Sequence, residues 1–234
     1  MPRRLPTCSI ALGLVAAALA GCSGSMLNRL ANDREVLREF QVGEISIPPA
    51  VLRQSKAVLV LDTVNVAAAV GVTGGGGTLV RNLGDGRWSA PLAMSVVAGS
   101  LGLQIGGEGR SVVMILNDES VLDRILSGDP YPLAGAAAVA GPAAAEVAYD
   151  SLAVPSVYTY SRTAGLFVGA MVGGMGITID KDVNGKVYGD VAPRTILSGS
   201  IVPPAGGLAY AAQLDTMAQW PTSIAIGEAD PTSE

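Results

Sequence analysis

The 234-residue chain contains no histidine, and its only lysines are Lys56, Lys181 and Lys186. Serine chemistry that hands its proton to an imidazole is thereby excluded. Ala98-Gly99-Ser100-Leu101-Gly102 has the outline of a nucleophile elbow, but no motif ties a lysine to Ser100 as a substitute base, so the chain is not expected to be an enzyme. Cysteine is nearly as scarce, with Cys8 and Cys22 alone. Charged residues make up 15% of the chain against 49% hydrophobic, a balance that excludes disorder and leaves stability to packing. Gly71-Val72-Thr73-Gly74-Gly75-Gly76-Gly77-Thr78 lacks the Lys-Ser or Lys-Thr that a phosphate-cradling loop needs after its last glycine, and a flexible turn between strands is expected there instead. No cofactor is expected.

What is present begins at the N-terminus. Arg3 and Arg4 precede an apolar stretch from Cys8 to Ala20, which closes on Leu19-Ala20-Gly21-Cys22, the layout of an export signal ending in a lipobox. The stretch is shorter than the roughly 20 apolar residues of a spanning helix. Residues 1–21 are therefore expected to be a lipoprotein signal peptide, removed before Cys22, which becomes acylated on its amine and side chain. Several acyl chains hold a protein on a bilayer where one does not. Ser23, rather than Asp, follows the cysteine, as in lipoproteins forwarded to the outer membrane of Gram-negative cells. The expected location is accordingly the bacterial cell envelope. With Cys8 removed and Cys22 blocked, no thiol remains for a disulfide. Loss of Arg3 and Arg4 reduces 15 basic side chains to 13 against 20 acidic ones, a net charge of −7. No bulk field attracts nucleic acid or anionic lipid, so any anion site must be a local cluster.

Residues 22–31 read as a lipidated tether, 32–199 as one folded domain, and 200–234 as a C-terminal extension, partly mobile, with a helix near 209–219. Asn32 and Glu35 form a capping box for a helix with Val36, Leu37 and Phe40 on one side, and Pro48-Pro49 start a second helix through Arg53 and Lys56. Short β-type runs follow, among them Val58 to Leu61, Thr78 to Arg81, Arg87 to Ala93, Leu101 to Ile105, Val112 to Leu116, Val157 to Arg162, Ile177 to Asp180 and Lys186 to Tyr188. Asp85-Gly86 and Asn184-Gly185 are hairpin signals between them. Asn117 is expected to cap a helix carrying Val121, Leu122 and Ile125, and further helices are expected within Ala143 to Tyr149 and at Pro193 to Leu197. The fold class is α+β, a mostly antiparallel curved β-sheet with several helices packed on it.

Two patterns bear on ligands. Asp180-Lys181-Asp182-Val183-Asn184-Gly185 matches the opening of a calcium loop, with Asp180, Asp182 and Asn184 as oxygen donors, but Val191 stands where the bidentate glutamate belongs. A plain hairpin is the expectation and no metal is assigned. Arg34, Arg38, Arg53 and Lys56 lie beside apolar residues in the helical region, as in a helix that meets anionic headgroups, while Glu35, Glu39 and Glu44 among them also fit a solvated face. The apolar stretches Leu133 to Ala145 and Gly165 to Ile179 are too short to span a membrane as helices.

Trp88-Ser89-Ala90-Pro91, Gly99-Ser100-Leu101-Gly102-Leu103-Gln104-Ile105-Gly106, Gly141-Pro142 and Tyr158-Thr159-Tyr160-Ser161-Arg162-Thr163-Ala164-Gly165-Leu166-Phe167-Val168-Gly169 occur in an order that resembles the SYLF-domain proteins. Lys56 to Leu61, Asn184 and Tyr188-Gly189 fit the same pattern, and the resemblance covers about residues 33 to 199. It implies a lipid-binding module, with phosphoinositide and sometimes actin binding in eukaryotic relatives and envelope lipoproteins among bacterial ones. Arg162 matches the family's Tyr-Ser-Arg string and is a further candidate for headgroup contact or for tying strands together. Ala164 stands where many relatives carry a basic residue. The implied partners are membrane phospholipid and, alternatively, an envelope protein, with lipid touched only through Cys22.

Overall fold

Ala57-Val58-Leu59-Val60-Leu61 is apolar without alternation, the pattern of a strand covered on both faces. In the computed structural model, which describes residues 24–42, 46–127, 131–132, 139–140 and 156–220, and only the backbone of 65–72, 97–108, 131–132, 139–140 and 163–175, these residues open a 28-residue strand, β1 (Ala57–Gly84). Antiparallel to it run β3 (Leu92–Leu116) and then β6 (Val157–Ile179). Short strands complete the six-stranded sheet: β2 (Arg87–Trp88) beside β1, with β4 (Tyr131–Pro132) and β5 (Val139–Ala140) beside β6. Most of the short runs expected from the sequence are thus segments of three long strands. The glycine run is strand, not a turn.

Its glycines have a steric cause. β1 bends back so that its two ends lie side by side, and the amide of Asn82 donates to the carbonyl of Lys56 at 2.9 Å. A register irregularity between Ala68 and Val70 falls midway between those ends. A methyl on Gly75 would stand 2.7 Å from Thr63 Cα, and one on Gly77 would meet the Val60 carbonyl. Only hydrogen fits where backbones approach this closely. At the other end of β1, Asp85 and Gly86 both take positive φ (53° and 72°), the geometry of the tight hairpin that the dipeptide predicts.

The strand faces separate two cores. Ala57, Leu59 and Leu61 pack with Leu79, Leu92 and Met94 on one side, closed by Leu122 and Ile125 of helix α3 (Glu119–Leu126). Val58, Val60, Val113 and Tyr160 face the other side, which is covered by α1 (Met26–Val42), α2 (Pro49–Gln54) and α6 (Gly207–Gln219). Phe40 of α1 meets Tyr160 edge to face, with ring centroids 6.5 Å apart. Tyr210 and Leu214 of α6 are fully buried, so the core reaches past Gly199, where the sequence reading placed the domain edge.

Helix starts shift relative to expectation. α1 begins at Met26, capped by Ser25, whose Oγ accepts from the Asn28 amide at 3.3 Å, so Asn32 lies inside the helix and forms no capping box. α3 is capped by Asp118 instead of Asn117. α5 (Pro193–Ile196) forms as expected. The Asn184-Gly185 hairpin and the strand Lys186 to Tyr188 do not form. These residues belong to helix α4 (Lys181–Tyr188), whose N-cap Asp180 accepts from the Val183 amide. The turn propensity of Asn-Gly yields here to a good cap and to burial of Val183 and Asn184. The helix expected within Ala143 to Tyr149 lies outside the described residues.

Two glycines give opposite predictions. Gly77→Ala is expected to destabilise by about 3 kcal/mol or more, since backbone must move. Gly185→Ala, with nothing within 4 Å of its added methyl, is expected to stabilise α4 by about 0.5–1 kcal/mol. Urea denaturation of both variants checks this, and destabilisation by Gly185→Ala would restore the hairpin.

Candidate functional site

Helix α1 buries more than apolar side chains. Arg29 and Asp33 stand one turn apart on its inner face, 6% and 1% exposed. The Arg29 guanidinium passes over Gly76, where a methyl would come within 2.6 Å of Nη1, and donates to the Met94 carbonyl and to Asp180 Oδ2, the latter at 2.5 Å. Ser95 Oγ donates to the same carboxylate oxygen at 2.7 Å and the Val183 amide to Oδ1 at 2.9 Å. Burial opposes the charge on Asp180, but these donors and the Arg29 cation outweigh it and hold its pKa below the usual carboxylate value. Asn184 Oδ1 accepts from the Ala93 amide at 2.8 Å, and its Nδ2 donates to the Ala93 carbonyl at 2.9 Å.

This geometry removes the calcium alternative. Asp180 faces a guanidinium, Asn184 is spent on the backbone of β3, and Asp182 is exposed on a helix. Among the described residues no three carboxylates or cysteines come together as a metal site. The side chain of Ser100 lies outside the described residues, as does Cys22.

Asp33 is set apart from the Asp180 cluster. Thr78 Oγ1 donates to its Oδ2 at 2.6 Å, and Oδ1 has no hydrogen-bond partner among the described residues. Burial pushes its carboxyl well above the usual value, against the Thr78 hydrogen bond and the Arg29 charge. The nearby Tyr210 hydroxyl is pushed up in turn, by burial and then by Asp33.

The basic candidates fall outside this interior. α1 and α6 run in the same direction: Gly206 faces Leu27 and Leu30, and further along Arg34 Nε donates to Gln213 Oε1 at 3.1 Å while Gln213 Nε2 donates to the Arg34 carbonyl. Arg38 lies one turn beyond and pairs with Glu35 at the surface. Arg53 donates to the Ala218 carbonyl at 2.7 Å, at the end of α6 where the helix dipole favours a cation. Lys56, three residues on, is exposed. Arg38 and Arg53 thus lie toward the C-terminal ends of α1 and α6, with Arg34 midway along α1. Arg162 of β6 stands 3.9 Å from Glu39 of α1, both half-buried.

A shallow cavity of about 240 Å³ opens at the same end, with Arg53, Asp85, Trp88, Asp215 and Gln219 in its wall. One cation, two carboxylates and an indole suit a small ligand of mixed charge better than a simple anion. Sequence reasoning found Arg53 but not its companions, because Asp85 and Trp88 reach it through the β1–β2 hairpin and Asp215 through α6.

The family model described as "Ysc84: Las17-binding protein actin regulator" matches residues 97–214. The chain is 35% identical over 164 residues to "SH3 domain-containing YSC84-like protein 1" of Xenopus laevis, covering 68% of this chain and 49% of that protein. It is 34% identical over 166 residues to "Protein YSC84" of Saccharomyces cerevisiae, covering 68% and 36% respectively, and 33% identical over 185 residues to the human YSC84-like protein 1, covering 73% and 53%. The matches thus span about half of these relatives or less. No solved structure matches the chain.

The buried carboxyls set the pH response of stability. Burial raises the folded pKa of Asp33 above the unfolded value near 4, so its contribution is full below about pH 4 and declines as pH rises toward the folded value, by up to about 1.4 kcal/mol per unit. Asp180 has the opposite sign: its contribution is present above about pH 4 and is lost as pH falls through its lowered value. Asp33→Asn is expected to gain on the parent protein as pH rises above about 4 in urea titrations. Parallel curves would contradict a raised Asp33 pKa.

Proposed function

Because the chain belongs to the Ysc84 family, the SYLF-domain proteins, we propose that it is a lipid-anchored envelope protein whose folded domain engages membrane lipid without catalysis. The family match carries this reading, joined to the lipobox ending at Cys22. The family description, "Las17-binding protein actin regulator", and the relative named "LAS seventeen-binding protein 3" speak of binding and regulation rather than a reaction. Arg34, Arg38, Arg53 and Lys56 are the proposed headgroup partners, with Arg162 a lesser one. Arg38 and Lys56 are the cleanest to test, since Arg34 and Arg53 also hold α6.

A second reading has its own support. The matching family description and "LAS seventeen-binding protein 3" of Saccharomyces cerevisiae name a protein as partner, so the domain would instead bind an envelope protein and reach lipid only through Cys22.

A soluble form starting at Ser23 is expected to co-float with anionic vesicles, less so at 1 M salt, where the Debye length shrinks to about 3 Å. Replacing Arg38 and Lys56 together by serine should lower that partitioning roughly tenfold or more. Absence of binding to any vesicle would favour the protein partner. For the anchor, mass spectrometry of the envelope fraction should find Cys22 acylated and N-terminal, whereas a Cys22→Ser precursor should retain its first 21 residues and carry no lipid.

A further inference from the structure

Arg38 and Arg53 lie toward one end of the α1/α6 pair, and the other end is of opposite character. There Leu27 is 54% exposed, Val202 84% and Leu208 70%. Val202 and Leu208 flank Gly206-Gly207 in the chain, and this turn packs on α1: a methyl on Gly206 would touch Leu27 Cδ1 at 3.3 Å, and one on Gly207 would crowd Pro203. No acidic or basic residue occurs from Thr195 to Leu214 or from Ser23 to Asn28. Arg29, the next charge along α1, points inward to Asp180. These are exposed aliphatic side chains on segments without charge, and the charges closest by packing are the exposed Lys181 and Asp182 of α4, next to the Arg29–Asp180 pair.

The chain itself indicates what covers them. Cys22 is four residues before Met26, so even a fully extended connection spans only about 14 Å. A lipid on Cys22 holds the N-terminal end of α1 within that distance of the headgroups, while the far end of this 17-residue helix lies about 25 Å away. The end that the tether brings down is the one with Leu27, Val202 and Leu208.

We propose that this uncharged end, carrying Leu27, Val202 and Leu208, is the face that the anchored protein lays into the bilayer interface. The proposal rests on acylation of Cys22. It concerns apolar insertion, a pose in which the basic end stands off the bilayer, and so is distinct from the salt-sensitive contact that the soluble form makes through the basic end. Aliphatic side chains enter the boundary between headgroups and acyl chains without needing anionic lipid.

The mature chain has no cysteine besides Cys22, so Leu27→Cys, Val202→Cys, Leu208→Cys and, as a control at the opposite end of α1, Val42→Cys can each carry a polarity-sensitive fluorophore in the acylated full-length protein. Val42 is 76% exposed. On neutral phosphatidylcholine vesicles, labels at 27, 202 and 208 should shift to shorter wavelength and be quenched by spin-labelled acyl chains, and the label at 42 should not. Protein that floats with the vesicles while the three labels remain in water overturns the inference and leaves the anchor intact. An equal shift at 42 overturns it as well. A shift already present without vesicles, together with a doubled mass by light scattering, overturns it in favour of a second copy on this face. Protein that does not float shows that the anchor reading has failed and takes the inference with it.

Discussion

Arg29 carries its charge into the interior on the inner face of α1, and a guanidinium removed from water costs several kcal/mol unless it is paired and fully hydrogen-bonded. Here the pairing determines much of the architecture. The Met94 carbonyl and Asp180 are its partners, so α1, β3 and the start of α4 must meet at one point. Gly76 must lack a side chain for the guanidinium to pass. Asp180 serves at once as cap of α4 and as counter-ion, and Asn184 one turn later clips that helix to Ala93. A sheet of three long strands with two buried faces has few ways to fix where its covering helices sit, since aliphatic packing alone tolerates sliding. The ion pair supplies a fixed point.

From that point the two helices α1 and α6 run side by side, and their ends differ in chemistry. Toward the C-terminal ends lie Arg38 and Arg53, with Arg34 midway along α1, balanced by Glu35, Asp85 and Asp215 and by the helix carbonyls themselves. Such partial neutralisation leaves local rather than global positive charge on a net-acidic protein. No acidic or basic residue lies in Met26–Asn28 of α1 or Gly207–Leu214 of α6.

Asp33 adds a second polar centre beside the first, bound by Thr78 and lying under Tyr210. Burial raises its pKa, while the Val183 and Ser95 hydrogen bonds and the Arg29 cation lower that of Asp180. Two carboxyls in one small region are thus shifted in opposite directions, because one has several donors and the cation close by and the other has mainly a hydroxyl.

Much of this was legible in the chain alone. The α+β class, the Asp85-Gly86 hairpin, the proline start of α2, the apolar faces of α1 and α3 and the family resemblance all follow from local patterns, since caps, turns and side-chain periodicity are short-range properties. The long strands were not legible, because glycine between β runs reads as a turn unless the approach of Val60 and Thr63 from the other end of the same strand is known. Nor was helix α4, whose Asn-Gly signal is overruled by Asp180 and by β3 from some ninety residues earlier in the chain. The burial of Arg29 and Asp33, the gathering of Arg53 with Trp88 and Asp215, and the exposure of Leu27 beside Val202 and Leu208 were decided only by tertiary structure. Each joins residues far apart in sequence, and no local pattern encodes which of them meet.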